Sequence, residues 1–77
     1  MAVKAYVLIE THVGKTKEVV EAIRSLRGVA SADAVTGPYD AIAVIQAETL
    51  NEIGDLVVAM VHPVAGISRT VTCIVLL

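Results

Sequence analysis

The sequence predicts an α+β fold with the element order β-α-β-β-α-β. Three observations predict it. Two segments carry apolar residues at helical spacing. Four others alternate or run apolar over strand lengths, and turn residues separate the segments.

Residues Ala2–Glu10 alternate, with Val3, Ala5, Val7 and Ile9 on one face and Lys4, Tyr6, Leu8 and Glu10 on the other. That period of two is a strand, and both of its faces are partly apolar. Thr11–Gly14 reads as a loop. In Lys15–Arg27, Val19, Ile23 and Leu26 recur at i, i+4 and i+7, with Val20 widening the stripe, so a helix is expected. Gly28 stops it. Val29–Thr36 follows as an alanine-rich strand, with Val29, Ser31, Asp33 and Val35 on one face. Gly37-Pro38-Tyr39-Asp40 is the strongest turn signal, and it implies an antiparallel hairpin to the buried strand Ala41–Ala47.

Thr49–Val61 is the second expected helix, opened by a capping box of Thr49 and Glu52. Its apolar stripe is Leu50, Ile53, Val57 and Met60, flanked by Leu56 and Val61. Gly54 inside it costs about 1 kcal/mol relative to alanine, which a close backbone approach would explain. Pro63 ends the helix, and Ile67–Leu77 is the last strand. It sets Thr70, Thr72, Ile74 and Leu76 on one face and Arg69, Val71, Cys73 and Val75 on the other. The order is the ferredoxin-like pattern, in which two helices cover one face of a four-stranded sheet. The other face stays bare, and a second sheet packed back to back would cover it.

Composition narrows the function classes. The chain has 77 residues, too few for two domains, and residues 1–77 read as a single domain. It is 56% hydrophobic and 18% charged, which excludes disorder. Its longest apolar runs are strand-sized, short of the ~18 residues a membrane span needs, and no signal-peptide core is present. A soluble, cytoplasmic protein is expected. A domain this small buries only about 60% of its unfolded surface, so the surplus apolar surface points to burial against other copies. One cysteine excludes an internal disulfide. A net charge of −2 argues against a nucleic-acid module, which normally shows a basic patch.

The chain resembles the ligand-binding (RAM) domain of the Lrp/AsnC family of leucine-responsive and asparagine regulators. Val35-Thr36-Gly37-Pro38-Tyr39-Asp40 matches the family element V-x-G-x-Y-D. Ala5-Tyr6-Val7, Gly28-Val29, Thr70-x-Thr72 and Ile74-Val75-Leu76 support the match in order and spacing. The resemblance implies a dimeric α/β barrel assembled into rings, octamers or decamers, with a free amino acid bound between dimers. Full-length members carry an N-terminal helix-turn-helix. With the first strand starting at residue 2, the expectation is a stand-alone form without direct DNA binding. A full-length Lrp/AsnC regulator is the expected partner by co-assembly.

The candidate ligand-binding residues are Gly37, Tyr39, Asp40, Thr70 and Thr72. Asp40 offers a carboxylate to a ligand ammonium, against the plainer role of capping its own turn. Gly37 lets the backbone approach a ligand, and Tyr39 offers a ring wall or sits half-buried at an interface. Thr70 and Thr72, two apart on a strand, present two hydroxyls to one side, although threonine also simply favours strands. His12 and His62 lie in loops or helix ends with no nucleophile marked beside them. Cys73 reads as a small buried hydrophobe. No metal-ligand spacing and no phosphate-cradling loop is present, and no cofactor is expected. Two other readings stay open: a small dimeric α+β barrel enzyme, and an oligomerisation module without a ligand.

Overall fold

The computed structural model describes residues 2–77. Strand β1 spans Val3–Thr11, helix α1 Thr16–Arg24, β2 Val29–Ala34 and β3 Ala41–Ala47. Helix α2 spans Leu50–Leu56 and runs into a π-helical turn, Val57–Val61, before β4, Ile67–Ile74. The order is β-α-β-β-α-β, and the four strands form one antiparallel sheet in the order β2-β3-β1-β4. This is the ferredoxin-like α+β fold.

Alternation selects the buried face. Ala5, Val7 and Ile9 of β1 stand beside Ile45, Ala43 and Ala41 of β3, and all six are buried under the helices. From above, α1 contributes Val19, Val20 and Ile23, and the second helical segment contributes Ile53, Val57 and Val61. With no phenylalanine or tryptophan available, the core is a layer of valine, isoleucine and alanine. The opposite sheet face carries Tyr6 and Leu8 of β1 beside Val44 and Ile42 of β3, with Val71 and Cys73 of β4 on the far side.

Several expectations are corrected. Helix α1 ends at Arg24 rather than Arg27, because Ser25 and Leu26 turn back onto the carbonyls of Ala22 and Ile23. Strands β2 and β4 end at Ala34 and Ile74, short of Thr36 and Leu77, and β1 extends through Thr11. The face expected for β2 fails at Ala30. Val29 pairs with Ile45 but Ser31 pairs with Val44, so Ala30 is an extra residue. Such a bulge reverses the alternation, and Val29 packs on the core together with Ala32 rather than with Ser31 and Asp33.

The second helix is α only to Leu56. His62 N–H then donates to Val57 O, five residues back, at 2.9 Å. The wider turn puts Val61 rather than Met60 on the face of Ile53 and Val57, so Val61 is buried and Met60 stays exposed; Leu50, at the start of the helix, is exposed as well. The capping box opens the helix: Thr49 Oγ1 accepts from Glu52 N–H at 3.2 Å. The reciprocal Glu52 carboxylate accepts from Glu48 N–H at 3.4 Å, one residue before the cap. Nothing lies within 4 Å of a Cβ placed on Gly54, so no close approach within the chain explains that glycine. Cys73 is exposed rather than buried, because it falls on the uncovered face.

Candidate functional site

The β2–β3 connection begins where β2 leaves the sheet. Val35 N–H donates to Asp40 O, and Asp40 N–H donates to Ile9 O, both at 2.9 Å. These two bonds close the loop and anchor it to β1. Within it Gly37 adopts φ +127°, a backbone region that side chains disfavour. Gly37 is exposed, while Tyr39 and Asp40 are half-buried. Thr11 N–H donates to Asp40 Oδ2 at 2.8 Å. The carboxylate thus caps the end of β1 rather than its own turn. Its second oxygen has no protein partner among the described residues.

The threonines lie on the other side of β1. Thr70 pairs with Ile9 and Thr72 with Val7, so both share the helix-facing side of β4. Thr70 Oγ1 lies 3.1 Å from His62 Nε2. No protein partner for the Thr72 hydroxyl is found among the described residues. Thr72 borders an apolar groove of about 240 Å³ with Leu50, Gly54, Val57, Val58 and Ile74. The groove exists because the helices do not span the whole sheet. Helix α1 lies over β2 and β3, and α2 lies over β3 and β1, so β4 is the strand left least covered.

The five expected residues therefore form two groups. Gly37, Tyr39 and Asp40 share the β2–β3 turn, Thr70 and Thr72 share β4, and β1 separates the groups. Two neighbouring-strand spacings of about 4.8 Å place them on the order of 10 Å apart. Sequence reasoning missed Thr11, whose amide holds Asp40, and the pairing of His62 with Thr70. The signal for the first is the antiparallel register, which brings the end of β1 to the start of β3. Among the described residues no three His, Cys, Asp or Glu side chains cluster to hold a metal. No helix of the described residues is long and apolar enough to cross a membrane.

A four-stranded antiparallel sheet backed by two helices defines the ferredoxin-like class of α+β domain. Within that class the chain belongs to the Lrp/AsnC ligand-binding domain family, whose model matches residues 4–77. That family consists of regulatory ligand-binding domains rather than enzymes, and the chain is an effector-binding type of domain. The structure is similar to the crystal structure of a protein from Thermus thermophilus. Identity there is 32% over 97% of this chain and 94% of that one, with a TM-score of 0.92. It shares its fold with Escherichia coli AsnC, at 20% identity over 97% of this chain and 51% of that one, TM-score 0.90. It also shares its fold with a transcriptional regulator of Neisseria meningitidis in complex with L-Met. There the identity is 18% over 97% of this chain and 50% of that one, TM-score 0.85. The chain spans about half the length of these last two proteins. No match among curated proteins was found.

Proposed function

We propose that the chain binds a free amino acid as effector, in a site that two copies complete. The observation that carries this reading is Asp40. One carboxylate oxygen is held by Thr11 N–H, and the other has no protein partner among the described residues. A fixed, half-buried carboxylate is a receptor for a ligand ammonium through a charge-assisted hydrogen bond. Gly37 leaves the backbone open beside it, and Tyr39 supplies a wall. Thr70 and Thr72 offer hydroxyls to the ligand carboxylate. Because β1 separates them from Asp40, the ligand takes the turn from one copy and the threonines from another.

The uncovered sheet face supports assembly. Leu8, Ile42, Val44 and Val71 lie there with Tyr6, and a second sheet packed on them removes apolar surface from water. Dimers formed this way assemble into rings of octamer or decamer size. Co-assembly with a full-length Lrp/AsnC regulator then passes the effector signal to DNA. The Neisseria regulator, which shares the fold, is known with L-Met bound.

Calorimetry with each of the twenty free L-amino acids tests the reading. At least one is expected to bind. Asp40→Asn keeps an oxygen for Thr11 N–H but loses the charge, and is expected to weaken binding by about 10- to 100-fold. Absence of binding by every amino acid at millimolar concentration sinks the proposal. Sedimentation should give a mass several times 8.1 kDa, and a monomer would contradict the two-copy site.

A further inference from the structure

We infer that Thr11, braced by Thr16, is a positioning residue for the Asp40 carboxylate, an inference that rests on the effector reading above. Between Glu10 and Thr11 the pairing of β1 with β4 slips register. The chain of β3 starts only at Ala41, so beyond Ile9 no β3 carbonyl remains to receive an amide of β1. The Asp40 side chain takes that place, accepting Thr11 N–H at 2.8 Å.

This bond is redundant for the turn. The two backbone bonds of Asp40, to Ile9 and Val35, already close and anchor the loop. What Thr11 adds acts on the side chain alone. Pinning one carboxylate oxygen removes the rotation that would otherwise point the second oxygen anywhere on a cone. The free oxygen is held in one direction before a ligand arrives, which lowers the ordering cost of binding.

Thr11 is itself braced. Its hydroxyl lies 2.7 Å from the hydroxyl of Thr16, the first residue of α1. Both threonines are half-buried, so water competes poorly for this bond. On the next residue, His12 N–H donates to Gly66 O at 2.8 Å, and one residue before, Glu10 pairs with Arg69 at 2.6 Å. The segment Glu10–His12 thereby ties the Asp40 turn to α1 on one side and to the start of β4 on the other.

The test uses Thr11→Val and Thr16→Val, which remove the hydroxyl pair with little change of shape. Calorimetry repeats the twenty-amino-acid panel on each, with urea unfolding to establish that the variants are folded. Each substitution is expected to weaken the tightest-binding amino acid about fivefold. The double variant should lose no more than either single one, since both remove the same bond. Thr11→Ser keeps the hydroxyl and should restore binding. Hydrogen exchange at the Thr11 amide should speed up in both valine variants. Unchanged affinity in folded Thr11→Val and Thr16→Val, with Asp40→Asn still weakening binding, overturns the positioning role and leaves the effector reading standing. A wild-type chain that binds no amino acid removes the effector reading, and the role of Thr11 with it.

Discussion

The two ends of the sheet are finished differently. At the β2 end, α1 lies directly over the strand, and Arg24 Nε donates to Ala32 O at 2.7 Å. The guanidinium also pairs with Asp33 at 3.4 Å, and the bulge at Ala30 breaks the strand's regularity. At the β4 end no helix reaches fully over the strand, and no charged side chain follows Arg69. Leu50, Val58 and Ile74 are partly in water along the seam. Edge strands are ordinarily blunted by charge, bulges or cover, and β2 has all three. The difference teaches where the molecule is closed and where it has capacity left to bind.

The largest expected effect comes from setting a residue under α1 against one on the open seam. Ile23 is fully buried, and Ile23→Ala should cost about 2 to 5 kcal/mol, read from urea unfolding. Leu50 is 58% exposed, and Leu50→Ala should stay within about 0.5 kcal/mol. Equal losses would mean that the seam is as tightly packed as the core.

Two glycines sharpen the contrast. Gly66 has φ +100°, and a Cβ there would meet Val19 Cγ2 at 2.9 Å and Lys15 Cβ at 3.0 Å, both from the α1 side. Gly66→Ala should cost about 1 to 3 kcal/mol. Gly54, bordering the seam, has helical backbone and open space around its missing Cβ. Gly54→Ala should raise stability by up to about 1 kcal/mol, seen as a higher Tm. A loss at Gly54 would indicate that another copy or a ligand approaches the helix backbone there.

Arg24→Ala should also change stability little, within about 1 kcal/mol, since its contacts are partly in water. Its effect should show in association instead. Freeing Ala32 O exposes the β2 edge, and light scattering at high concentration should rise above that of the parent chain. No increase would mean that the bulge and the cover of α1 protect this edge without Arg24.

The uneven legibility of the molecule follows the same division. Element order was readable because burial on one face imposes a period on each segment, as in Ala5, Val7 and Ile9 or Val19 and Ile23. The Gly37–Asp40 turn and the Thr49–Glu52 cap were readable because their signals are local. The bulge at Ala30 and the π turn at Val57–Val61 left no such trace. Each shifts the phase by a residue, and the phase is set by what the segment packs against. Ala30 is pushed out so that Val29 and Ala32 both meet the core, and the wider turn brings Val61 under cover at the expense of Met60.

The candidate site divides likewise. By itself the sequence determined the family, the turn that carries Asp40, and the side of β4 that Thr70 and Thr72 share, because these depend on short spacings. Only the tertiary structure decided that β1 lies between the two groups, and that Thr11 holds Asp40 across 29 positions of chain. Partners so far apart in sequence meet through strand order and register, and no local pattern of residues encodes either.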